Sequence, residues 1–193
     1  MSRGLTEALD GWDNIRSSEL YGVEAWGNGY FHITEDGYAA VKLQNEQGPV
    51  SVKFHDIVRG LYQRGFSLPV LLRFSDLLAA RIRAINEAFA KAIADSGYAG
   101  SYRGVYPIKV NQQHQTVADV VRLGAPFHHG LEAGSKAELI AALGYLHDPA
   151  AYIICNGYKD AEFIDLALFS LKMGLQTILV LEMPGELDLL LER

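Results

Sequence analysis

The sequence predicts an α/β fold: a partial (β/α)8 barrel of TIM type, about five βα units, preceded by a small N-terminal β region. Three observations carry that expectation. From Pro69 onward, short apolar segments suited to strands alternate with stretches whose apolar residues recur at helical spacing. Most of those strand segments are apolar on both faces, as in a parallel sheet buried under helices. The stretch from Pro69 to Arg193 is also only half of the ~250 residues that a whole barrel takes, so an incomplete barrel and a fragment of a longer protein are expected. An open doubly wound sheet fits the same alternation.

Residues 1–66 form the expected N-terminal β region. From Leu5 to about Lys53 the chain reads as short strands: Tyr30-Phe31-His32-Ile33, a turn at Thr34-Glu35-Asp36-Gly37, then Tyr38 to Leu43. A second turn at Gln47-Gly48-Pro49 leads into Val50 to Phe54, and a short helix from Asp56 to Gln63 is ended by Gly65. Residues 67–193 form the expected barrel part. Its first strand is Pro69 to Phe74, and Ser75 can cap a helix with apolar positions Leu78, Ile82, Ile85, Phe89 and Ala92, stopped by Gly97.

The alternation then continues with a strand from Val105 to Val110, a helix from about Gln115 to Leu123 closed by Gly124, and a very short strand Gly130 to Ala133. The next helix opens on Ser135-Lys136-Ala137-Glu138, a capping-box sequence whose hydroxyl and carboxylate can satisfy free amides of the first turn. Ala151 to Asn156 is the fourth strand, Asp160 to Met173 the fourth helix with Gly174 behind it, and Thr177 to Glu182 the fifth strand. Leu189 to Arg193 reads as a helix still running.

Composition narrows the function. The chain has 193 residues, 49% hydrophobic and 21% charged, which suits a closed apolar core. A net charge of −6 without basic clusters argues against nucleic acid as a partner. No run approaches the ~18 apolar residues that cross a bilayer, and the start lacks the apolar core of a signal peptide, so a soluble protein is expected. Cys155 is the single cysteine, which leaves no intrachain disulfide and no cysteine-based zinc site, and a cytoplasmic location is expected.

The chemistry concentrates in Val105-Tyr106-Pro107-Ile108-Lys109-Val110-Asn111. If all of it is strand, Tyr106, Ile108 and Val110 face the helices while Lys109 faces the barrel interior near the C-terminal end, where barrel enzymes place active residues. Burial there would depress the lysine pKa and make the amine a nucleophile for an aldehyde cofactor. The competing reading is a solvated surface group, as most lysines are. Glu132 ends the next strand, where it could steady a protonated lysine or carry protons; a solvated loop residue fits its spacing equally well. Glu138 suits helix capping better than catalysis. The adjacent His128 and His129 face opposite ways in extended chain and suit a loop, not a metal site. Cys155 in its apolar strand reads as a small buried hydrophobe. Gly27, Gly29 and Gly157 read as turn residues, and no strand is followed by a GxGxxG or GxxxxGK[ST] pattern, which argues against the common nucleotide-binding folds.

Three segments in order, Tyr106-Pro107-Ile108-Lys109-Val110-Asn111-Gln112, Gly130-Leu131-Glu132-Ala133-Gly134-Ser135-Lys136-Ala137-Glu138-Leu139 and Ile154-Cys155-Asn156-Gly157-Tyr158-Lys159-Asp160, resemble the biosynthetic arginine decarboxylase family. Ala25-Trp26-Gly27-Asn28-Gly29-Tyr30 resembles it too, so the likeness covers nearly the whole chain. The resemblance implies a barrel of alanine-racemase type that carries pyridoxal phosphate (PLP), with Lys109 as the cofactor-linking lysine and Glu132 near the cofactor. It implies decarboxylation of L-arginine to agmatine and CO2 in polyamine biosynthesis, a magnesium requirement with no assignable ligand, and a homo-oligomer. It also implies that the phosphate-binding and guanidinium-reading residues come after Arg193, so this chain alone is expected to be inactive. Related PLP decarboxylases or racemases on the same barrel, and a non-catalytic PLP-binding remnant, are the alternative expectations.

Overall fold

The structure is a computed structural model that describes residues 11–45 and 48–193. The strand reading of Leu5 to Asp10 and the Gln47 end of the second turn lie outside the described residues. The chain divides into two compact units, Met1–Leu77 and Leu78–Arg193.

Among the described residues, the first unit begins with two helices where the sequence reading expects strands. Asp13 caps α1 (Asn14–Leu20) by accepting from the Arg16 amide at 2.8 Å, and α2 (Val23–Gly27) follows directly. The polar run Asp13 to Glu19 offers no alternation for a strand to bury, whereas a capped first turn needs only one side chain. An antiparallel meander comes next: β1 (Phe31–Ile33), β2 (Ala39–Asn45) and β3 (Gly48–Lys53), with Phe31 opposite Val41 and Val41 opposite Val52. The Thr34 hydroxyl and Gly37 in positive φ build the first turn as expected. Ala40 and Val41 are buried, and the rings of Trp26, Phe31, Phe54 and Phe74 follow one another at centroid distances of 5.4, 5.9 and 6.0 Å. Helix α3 (Phe54–Gln63) ends at Gly65, which adopts positive φ.

The expected strand Pro69 to Phe74 forms no ladder. Pro69 has no N–H to donate, Leu71 lies largely exposed, and a strand exists only where a partner accepts its hydrogen bonds. Helix α4 (Ser75–Ser96) does form, with Ile82 buried and Gly97 closing it in positive φ.

The second unit holds a sheet of four parallel strands in the order β4 (Val105–Pro107), β5 (Gly130–Ala133), β6 (Tyr152–Cys155) and β7 (Gln176–Leu179). Helices α5 (His114–Gly124), α6 (Lys136–Tyr145), α7 (Ala161–Lys172) and α8 (Pro184–Leu191) alternate with them, so the fold is α/β with a parallel sheet. Leu131, Ala133, Leu139, Ala142, Ile153, Phe163 and Ala167 form the core between strands and helices. Helix α8 is capped by Glu192 instead of running on to Arg193. No described helix is long and apolar enough to cross a membrane.

Candidate active site

The C-terminal ends of β4, β5 and β6 bring Lys109, Glu132 and Asn156 together, and the end of β4 departs from the sequence reading. Strand β4 stops at Pro107, and Ile108–Val110 turns as a 3-10 helix. Ile108 therefore packs into the core, Val110 is exposed instead of facing the helices, and Lys109 swings out over the strand ends with its side chain 62% exposed. The expected buried ammonium is corrected: Lys109 reaches solvent because the chain leaves the sheet two residues before it.

Glu132 lies inside β5, where all four positions are buried, and is not a solvated loop residue. Its side chain is 5% exposed, and Oε1 stands 3.8 Å from Lys109 Nζ. The in-register pairing of Pro107 with Glu132 puts the lysine segment beside it. Asn156, just after β6, donates Nδ2 to Glu132 Oε1 at 3.0 Å. Glu132 Oε2 is buried and has no hydrogen-bond partner among the described residues. A buried carboxylate oxygen of this kind calls for a donor or a positive charge.

The neighbouring loops are pinned around this cluster. Glu138 accepts from the Gly134 amide at 2.7 Å and from Gln112 Nε2 at 3.3 Å, so it tethers the segment that follows Lys109. Ser135 caps α6 through the Glu138 amide at 3.3 Å, so the capping-box pair forms with the carboxylate reaching one residue further back than expected. Gly157 has φ +77, and a Cβ there would stand 2.6 Å from the Gly134 carbonyl, so only glycine lets the two loops approach this closely.

Lys159 is a second lysine at the strand ends, and the sequence reading did not single it out. Its side chain has no exposed surface, and its ammonium donates to the Gly157 carbonyl at 2.6 Å and to the Val180 carbonyl, with Glu186 Oε2 at 3.7 Å. The signal available was a lysine four residues beyond an apolar strand, inside a segment already notable for its resemblance. With two donors engaged and no exposed surface, the Lys159 amine is closed off, whereas among the described residues Lys109 has one carboxylate near it, at a distance too long for a hydrogen bond. Of these two lysines, Lys109 is the one exposed to solvent.

The remaining candidates do not join the site. His128 pairs with Asp148 at 2.8 Å on the loop before β5, and His129 beside it has its pKa lowered by burial. Burial pushes the Cys155 thiol up to about 11, against a lesser pull from Lys159, so it is an inert core residue. No group of three or more His, Cys, Asp or Glu among the described residues could hold a metal ion.

A sequence model of the family described as "Pyridoxal-dependent decarboxylase, pyridoxal binding domain" matches residues 79–192. The biosynthetic arginine decarboxylases of Gloeobacter violaceus and Nostoc sp. are each 46% identical over 95% and 93% of this chain. The chain spans only 28% and 26% of those two proteins. The crystal structure of the biosynthetic arginine decarboxylase of Campylobacter jejuni superposes with a TM-score of 0.82 at 37% identity, covering 89% of this chain and 28% of that one.

Proposed function

Because the chain belongs to the pyridoxal-dependent decarboxylase family through its pyridoxal-binding domain, we propose that it works within a longer protein as the cofactor-holding part of a decarboxylase that converts L-arginine to agmatine and CO2 for polyamine biosynthesis. The observation that carries the reading is the meeting of an accessible lysine, Lys109, with a buried carboxylate, Glu132, at the C-terminal ends of adjacent parallel strands. Arginine as substrate enters from the named activity of the relatives. The first unit is read as the start of a separate β domain, and residues 67–193 as part of a (β/α)8 barrel.

The residues fit pyridoxal phosphate: Lys109 supplies an amine for its aldehyde, and the unpartnered Oε2 of Glu132 supplies a buried negative acceptor beside it. When bound, the cofactor supplies the electron sink that makes loss of an α-carboxylate feasible. Lys109 would hold the group through its amine. Glu132 would stand beside that amine, its Oε1 3.8 Å from Lys109 Nζ, with Asn156 donating to the same oxygen. Placement of this cluster on strand ends holds the three groups in register. No step is derived through magnesium, which rests on the family resemblance alone. A homo-oligomer is proposed on the same resemblance, and a cytoplasmic location also on the free, buried thiol of Cys155.

The test uses the full product of the reading frame, with Lys109 intact and as Lys109→Ala. Retained visible absorbance of PLP and agmatine release should both disappear in the variant, and borohydride reduction of the parent should leave a pyridoxyl mass on Lys109. A mass on another lysine, or agmatine release that survives Lys109→Ala, overturns the assignment.

A further inference from the structure

Lys159 ties together three segments at the strand ends. Its ammonium bonds the Gly157 carbonyl after β6 and the Val180 carbonyl after β7, and it faces Glu186 in the first turn of α8. Glu186 in turn accepts the Lys159 amide and the Glu182 amide, both at 2.8 Å, while Glu182 accepts the Gly157 amide at 2.5 Å. Burial would raise the Glu186 pKa, but the two amides and the Lys159 ammonium outweigh it and leave it lowered, so the carboxylate stays charged. Volume alone does not call for a lysine here. A hydrophobe of the same length would leave two carbonyls without a donor and the buried Glu186 carboxylate without its countercharge, and an ammonium, with donors only and a positive charge, answers both needs.

The loop so fastened is the one that carries Asn156. Its backbone amide donates to the Ala133 carbonyl at 2.9 Å and its side chain to Glu132 Oε1 at 3.0 Å, so the turn at Asn156-Gly157 sets how the Glu132 carboxylate is held. We propose that Lys159 is a positioning residue for the Lys109–Glu132 site: its buried ammonium fixes the turn that aims the Asn156 amide at Glu132. The inference rests on the reading that Lys109 and Glu132 meet the cofactor, and it assigns Lys159 no contact with that cofactor.

The experiment measures PLP affinity and the visible band of bound PLP in the full-length protein, with Tm as a separate readout, for Lys159→Met, Asn156→Ala and the double variant. Lys159→Met should weaken PLP binding roughly tenfold, as for coupled neighbours, and displace the band. The double variant should lose no more than the weaker single, because both act through one turn. A Lys159→Met protein with lower Tm but unchanged affinity and band overturns the inference, as do losses that multiply in the double variant. If Lys159→Met does not fold, Lys159→Met with Glu186→Gln removes the uncompensated charge and is scored by the same criteria. Lys109→Ala separates the two claims. If it keeps PLP as tightly and with the same band, the reading of Lys109 fails and this inference with it; if it loses PLP while Lys159→Met does not, this inference fails alone.

Discussion

Glu132 and His129 are both partly deprived of water, and each makes a separate prediction. Glu132→Gln keeps the shape and an acceptor for Asn156 while removing the charge 3.8 Å from Lys109. Agmatine formation by the full-length protein should fall by about 10²-fold, and an unchanged rate would remove Glu132 from the chemistry. His129 has a buried Nδ1 without a partner among the described residues, and burial lowers its pKa from the ordinary 6.5. Protonation is then harder in the folded than in the unfolded chain. Stability is untouched above about 6.5 and is lost as pH falls from there toward the depressed folded value. The urea midpoint should therefore drop between pH 7.5 and 5.5 by more in the parent than in His129→Gln; equal drops would show that His129 carries none of it. At this scale position along the chain marks Lys109 and Glu132 as candidates, and the resemblance assigns them a role. Their exposures were not legible in the sequence: strand alternation assigns faces only while the strand lasts, and β4 ends at Pro107.

Elements succeed or fail here according to whether their hydrogen bonds are answered within the segment. Helices α4, α5, α6 and α7 were legible within one or two residues at most ends, because caps such as Ser135 and stops such as Gly97 are local chemistry. Pro69 to Phe74 forms no strand because an apolar run does not by itself supply a pairing partner, and α1 and α2 escape the reading because helices of 7 and 5 residues are too short to display a helical period. Two substitutions test the local chemistry. Ser135→Ala removes the cap of α6 and should cost about 1 kcal/mol, seen as a Tm lower by about 2–4 °C. Gly157→Ala should cost more, at least the ~1–2 kcal/mol of a left-handed backbone, because its Cβ also meets the Gly134 carbonyl. A Gly157→Ala protein as stable as the parent would contradict the close approach of the two loops.

The whole molecule should respond to its cofactor as one thermodynamic system. PLP that binds only the folded state stabilises it by about 2.7 kcal/mol at a hundred times its Kd, so the Tm of the full-length protein should climb with PLP concentration. Lys109→Ala should flatten that climb, and an equal rise in both would place PLP elsewhere. The sequence by itself determined the α/β alternation, the parallel character of the sheet, and the segments in which Lys109 and Glu132 lie, because periodicity, caps and apolar strands are written in neighbouring residues. Only the tertiary structure decided that Glu132 is buried and Lys109 exposed, that Asn156 holds the carboxylate, and that Lys159 is locked by Gly157, Val180 and Glu186 instead of free to react. Apart from the local turn at Ile108–Val110 and the Lys159–Gly157 bond, those properties belong to contacts between segments about twenty or more residues apart, and a strand register or a buried ion pair exists only once both partners are in place.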